Sequence, residues 1–234
     1  MSKRSVSIEM ITIPAGEFLY GYFSDGYGDP DSRPSFVPYF SYDYGKQKAY
    51  LPEYRLARTP VTNAQYQAFV EATGYRAPHL RWTGRIPRGR KQHPVEGVTW
   101  HDAVAFCEWM GCRLPTEQEW EKGARGTEGR EYPWGNDWEE GRCNTEEAGI
   151  GDTMPVGEYR RGASPYGLLD AAGNVWEWCQ DWFEDEHVTK VLKGGSWRNP
   201  RNSARCGSRL GDYPDHRLHG EYGFRCCMSS TSSF

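Results

Sequence analysis

Gly173-Asn174-Val175-Trp176-Glu177-Trp178 is followed by Lys193-Gly194-Gly195-Ser196-Trp197 and, near the end of the chain, by Gly223-Phe224-Arg225. Three Gly/Trp/Arg phrases in this order point to one scaffold, because chance composition seldom produces them together. The stretch between the last two reads differently, as a display surface and not a fixed core. Function is sought there.

Working outward, the composition explains why the phrases look as they do. Only 37% of the 234 residues are hydrophobic while 15% are aromatic, with ten Trp and fifteen Tyr, so the core must be built from large rings on short segments. Twenty-seven Gly and fifteen Pro punctuate loops and tight turns. The length suits one domain, 1–234. A net charge of −4 gives no basic footprint, which excludes nucleic acid as an expected partner. Met1-Ser2-Lys3-Arg4-Ser5 precedes no apolar stretch and no run of eighteen apolar residues occurs, so no membrane span is expected and the chain is expected to be cytoplasmic as synthesised. Seven cysteines with no Cys-x-x-Cys pair indicate neither a zinc site nor a full disulfide framework, and are expected to be reduced.

Local patterns supply the elements. Met10 to Phe18 alternates as a strand broken by Pro14 and Gly16, and residues 20 to 50 read as a long excursion over the surface. Ala64, Tyr66, Phe69 and Val70 share one helical face, after a Thr62 or Asn63 cap and before Gly74. A second helix runs from Thr99 to Gly111, and the capping box Thr116-Glu117-Gln118-Glu119 opens a short third helix that carries Trp120 inward. Beyond Gly126 helical periodicity stops, and Val188 to Leu192 is the one clear strand. These elements give an α+β domain: two main helices on a small antiparallel sheet, with much irregular structure.

Longer motifs carry a resemblance. Ile11 to Phe18, Pro60-Val61-Thr62-Asn63-Ala64-Gln65-Tyr66, His93 to Trp100, Arg113 to Glu121, Tyr132-Pro133-Trp134-Gly135 and the three phrases above follow one another in an order that resembles the formylglycine-generating enzyme (sulfatase-modifying factor) family. The resemblance spans nearly the whole chain and implies the C-type-lectin-like fold in its formylglycine-enzyme variant. Members that oxidise a sulfatase cysteine hold copper on two cysteines shortly after the Gly-Gly-Ser segment, since soft thiolates suit Cu(I). Here only Cys206 follows, at a position that matches a later, non-catalytic cysteine, so copper is not expected. The His-rich motif of similar iron-dependent sulfoxide synthases is missing too. The resemblance further implies structural Ca²⁺ on Asp170, Gly173, Val175 and Glu177, a set of hard oxygen donors, with a second site near Asn144 and Thr145. It matches Cys107 and Cys226 to a pair that is disulfide-bonded in secreted relatives.

The segment from Arg198 to Tyr222 resembles the C-terminal variable region of diversity-generating retroelement proteins, in which asparagine codons are randomised at adenines. In that framework Trp197, Arg205, Arg209, Pro214, Asp215, Arg217 and Gly223 to Arg225 are supports. Arg198, Arg201, Ser203, Ser208, Leu210, Asp212, Tyr213, His216, Leu218, His219, Gly220 and Tyr222 are the candidate ligand-binding residues. Such codons never reach Lys, Glu, Gln, Met or Trp, which form about a fifth of the chain; between Arg198 and Arg225 only Glu221 is of these types. Rigid Tyr with adaptable Arg, His and Ser is also the mixture of binding paratopes. The expectation is a non-enzymatic variable protein with an unknown protein or other macromolecular ligand, of prokaryotic or viral origin. An oxidoreductase of the formylglycine-generating or pyoverdine-maturation type with an unrecognised metal site, or a recognition domain without variation, would be the alternatives.

Overall fold

A computed structural model describes residues 6–21, 39–41, 45–76, 86–217 and 220–230, with 39–41 described by their backbone. In chain order its strands are β1 (Met10–Ile13), β2 (Gly16–Tyr20), β3 (Tyr39–Ser41), β4 (Gln47–Leu51) and β5 (Tyr54–Ala57). Three α-helices follow: α1 (Asn63–Thr73), α2 (Trp100–Met110) and α3 (Glu117–Arg125). The chain closes with β6 (Trp176–Trp182), β7 (Lys190–Lys193), β8 (Arg209–Asp212), β9 (Tyr222–Gly223) and β10 (Cys227–Ser229). The order within the sheets is β1-β5-β10, β2-β4 and β3-β8-β7-β6-β9. All pairs are antiparallel except β6–β9, which is parallel.

The fold is therefore α+β, with three small sheets among the described residues where one was expected. Pro14 and the turn at Gly16 cut the first alternating run into β1 and β2, and each half joins a different sheet. The expected surface excursion over 20 to 50 contains β3 and β4; residues 22–38 and 42–44 lie outside the described residues.

Each helix begins on a threonine that closes a reciprocal capping box: Thr62 with Gln65, Thr99 with Asp102, Thr116 with Glu119. Glycines in the left-handed region end α1 at Gly74 and α2 at Gly111. The apolar faces of α1 and α2 meet the long sheet in an aromatic core, where Tyr66 stacks on Phe106 at 5.7 Å and Phe224 meets Phe106 edge-on at 5.4 Å. Although short, α3 is the most enclosed helix: Trp120, Glu121, Lys122 and Arg125 are all buried. Its charges are paired inside, Glu121 with both Arg125 at 2.5 Å and Lys193 at 2.9 Å. No helix of the described residues is long and apolar enough to cross a membrane.

Candidate ligand-binding face

The segment after β7 leaves the sheet at Gly194 and Gly195, whose φ of 95° and 74° only glycine adopts without strain. At Gly195 a side chain would also strike the Ser203 carbonyl, so the loop 196–208 folds back over this turn. Its root is a buried polar network. Ser196 Oγ lies 2.6 Å from both Glu221 Oε2 and Asn199 Oδ1, and Trp176 Nε1 donates to the same Asn199 oxygen at 2.7 Å. Arg198 reaches from solvent to pair with Glu221 at 3.3 Å and lies over the Trp197 ring. Glu221 is thus a fixed support that joins two loops.

A second network holds the next loop. Asp212 is almost wholly buried at the end of β8, accepts from Tyr222 Oη at 2.7 Å and Tyr213 N at 2.7 Å, and has His216 Nδ1 at 2.6 Å. Burial beside the Asp212 carboxylate pushes the Tyr222 hydroxyl well above its ordinary pKa, so it remains a donor. Tyr213, 41% exposed, packs edge-on against His216 at 5.2 Å.

These contacts divide the twelve candidates. Arg198, Arg201 and Tyr213 are exposed, and Ser203 and His216 are partly so. Leu210 and Tyr222, expected on the display surface, are buried in the aromatic core with Leu192 and Trp178. Asp212 lies inside the network just described, Ser208 donates to Asn202 O at 2.8 Å, and Gly220 is buried next to the Glu96 carboxylate. For these five the expectation of exposure is corrected. Strands β8 and β9 are covered on both faces, so the alternation of exposed and buried positions that a half-solvated strand would show is missing. Leu218 and His219 lie outside the described residues.

Beside this face is a cleft of about 530 Å³. Lys190 Nζ sits 3.5 Å from the centre of the Trp182 ring and 4.3 Å from that of Trp100, and donates to Gln180 O at 2.9 Å. His187 stacks on Trp182 at 5.3 Å. Burial raises the Asp181 carboxyl above its ordinary range, while the Glu117 N–H that it receives at the start of α3 opposes that rise. Trp100 N donates to Pro214 O at 3.0 Å, tying the cleft wall to the loop of Tyr213 and His216. Sequence reasoning missed the cleft because its rings come from β6 and the start of α2, which are far apart in the chain.

The two carboxylates among the residues expected to hold calcium are engaged within the chain. Both Glu177 oxygens are engaged, one by Arg225 Nη2 at 2.6 Å and the other by Arg225 Nε at 2.5 Å and Trp120 Nε1 at 2.8 Å. Asp170 Oδ2 accepts from Gly157 N at 2.6 Å, and burial pushes this carboxyl up to about 6. Near the second expected site, Asn144 Nδ2 donates to Asp152 O. Cys206 is sealed in the interior, and burial pushes its thiol up to about 12.

Comparison with known proteins agrees with this frame. The model of the sulfatase-modifying factor enzyme 1-like domain matches residues 1–230. A formylglycine-generating enzyme of Streptomyces coelicolor is 33% identical over 92% of this chain and 88% of its own. A serine/threonine-protein kinase, pkn1 of Chlamydia pneumoniae, is 36% identical over 94% of this chain, which spans only 38% of that kinase. Among solved structures, Treponema denticola variable protein 1 superposes with a TM-score of 0.76 at 23% identity, covering 98% of both chains. PvdO from Pseudomonas aeruginosa superposes at 0.72 with 24% identity, covering 94% of both. The fold is the one shared by these structures, and the chain belongs to the sulfatase-modifying factor enzyme 1-like family of formylglycine-generating enzyme homologues.

Proposed function

We propose that the chain is a ligand-binding variable protein of the diversity-generating retroelement type, taking a protein ligand on the face of Arg198, Arg201, Tyr213 and His216. The observation that carries this reading is how these residues are mounted. Arg198 is anchored on buried Glu221, and His216 with Tyr213 on buried Asp212, so an irregular polar and aromatic surface is held still by a rigid interior. Pre-fixed side chains lose less entropy on binding than a mobile loop would. The neighbouring cleft adds two half-buried indoles, Trp100 and Trp182, of the kind that dominate interface energetics.

The chemistry of the segment supports binding over oxidation. Copper in the family's manner needs two adjacent thiolates, and between Arg198 and Arg205 there is no cysteine, while Cys206 is buried and held protonated. The likeness to variable protein 1 supports the scaffold half of the reading.

The test is deep sequencing of codons 198–222 from a growing population of the source organism. Substitutions confined to positions that are adenine in the template repeat, within the codons for Arg198, Arg201, Tyr213 and His216, are expected. An invariant segment, or changes at all four bases, would end the variable-protein reading. Randomising the same four positions in a displayed library should then yield binders to arbitrary test proteins such as lysozyme.

A further inference from the structure

Away from this face, three thiols from two distant parts of the chain converge. Cys107 stands in the last turns of α2. Gly111, at φ 73°, ends that helix and turns the chain back, so that Cys112 N donates to Cys107 O at 2.9 Å. Arg113 and Cys227 then exchange two backbone hydrogen bonds, of 2.7 and 3.0 Å, and this bridge lays Cys226 against the same spot. The three sulfurs all lie within 4.8 Å of one another, with Cys107 and Cys226 at 3.9 Å. Cys107 and Cys226 are wholly buried and Cys112 is half-buried. Among the described residues no other trio of His, Cys, Asp or Glu side chains comes together this closely.

Zinc–thiolate bonds of about 2.3 Å set two sulfurs on one tetrahedral ion about 3.8 Å apart. The Cys107–Cys226 separation already has that value, and the third sulfur has to move by less than about 1 Å. A disulfide between Cys107 and Cys226 would use two of the thiols and leave the convergence of the third without cause. We propose that Cys107, Cys112 and Cys226 form a site for one thiophilic divalent cation of the zinc class, bound by three thiolates. The fourth position opens on the solvent side at Cys112 and is taken by water. Each thiol releases its proton to solvent as it binds. Three thiolates and a dication leave one negative charge, close to an Arg113 guanidinium that also holds Glu119 at 2.6 Å. The ion would clamp the end of α2 to the strand that closes the chain.

The probe is Cd²⁺, added to the full chain after reduction and removal of metals. The expected result is an ultraviolet thiolate-to-cadmium charge-transfer band that saturates at one equivalent and is displaced by Zn²⁺. Cys112→Ser is half-exposed and should keep the circular dichroism of the parent while losing the band; Cys107→Ser should lose it as well. Zn²⁺ should also raise the Tm of the parent and leave that of Cys112→Ser where it is. A parent protein with no band at one equivalent, or a band that Cys112→Ser leaves intact, overturns the proposal.

Discussion

Arg225 grips Glu177 with two parallel hydrogen bonds, Nε to Oε2 at 2.5 Å and Nη2 to Oε1 at 2.6 Å, and neither side chain reaches solvent. The three remaining guanidinium protons go to the carbonyls of Ala57 and Arg58 and, shared, to those of Leu169 and Asp170. One side chain thus ties β5, β6 and the turn at Asp170 to the last phrase of the sequence. A buried pair of this kind is neutral or mildly costly as a pair, yet severe to break, because the survivor is left charged in the interior.

Arg225→Ala is accordingly expected to cost about 3–5 kcal/mol or more, read as a loss of unfolding free energy in urea. A cost under about 1 kcal/mol would mean that water or another cation takes over the arginine's role.

Asp170 gives the protein an unusual pH response. Its carboxyl is pushed up to about 6 in the native state by burial, against about 3.9 in an unfolded chain. Between these values the native state keeps a proton that the unfolded state has lost, so stability falls as pH rises from about 4 to about 6 and is level above. Asp170→Asn keeps an acceptor for Gly157 and is expected to flatten this slope, raising stability at neutral pH by roughly 2 kcal/mol. With Glu177 committed to Arg225, Ca²⁺ or a chelator should leave the Tm unchanged. A calcium-dependent rise in Tm that Asp170→Asn abolishes would restore the ion expected from the sequence.

The parts of this structure that were legible beforehand are those fixed by local chemistry. Thr62, Thr99 and Thr116 each meet their capping partner three residues on, so the starts of the helices can be read without any tertiary knowledge. Phe224, read from the last phrase as a support, lies in the aromatic core with Trp176 and Trp178. The face was less legible. Asp212 is polar and Tyr222 amphipathic, and both look suited to solvent until they are seen to satisfy each other across ten residues of chain. Likewise the third thiol is visible only once the Arg113–Cys227 bridge brings the chain ends of two elements together.

The cysteines should separate sharply by reactivity. In reduced, metal-free protein the Cys107 and Cys226 thiols hydrogen-bond to Cys112 and hold it below the ordinary cysteine range, whereas burial pushes Cys143 and Cys206 up to about 12. Cys112 then ionises before Cys143 and Cys206, and iodoacetamide followed by peptide mass mapping should find it modified well before either of them. Early modification of Cys206 would show that the loop after Ser196 opens to solvent, and would return an oxidoreductase to consideration.

The sharpest division is between displayed and supporting positions within one short segment. Arg198, Arg201 and Tyr213 reach solvent, so replacing all three by Ser should change stability by no more than about 0.5 kcal/mol each at Arg201 and Tyr213, and by about 1 kcal/mol at Arg198, which leaves Glu221 with Ser196 as its partner. Leu210→Ala removes a side chain that is 2% exposed from the aromatic core and should cost about 2–5 kcal/mol. Tyr222→Phe keeps the ring but takes a donor from buried Asp212, for a cost of about 1–3 kcal/mol. His216 stands between the two classes, because it is half in solvent and yet 2.6 Å from Asp212. Urea denaturation of the triple variant and of these two single variants is decisive. If the triple variant unfolds as readily as Leu210→Ala, the exposed positions are structural and the face does not present interchangeable residues; if it stays folded, its side chains are free to be selected for what they bind.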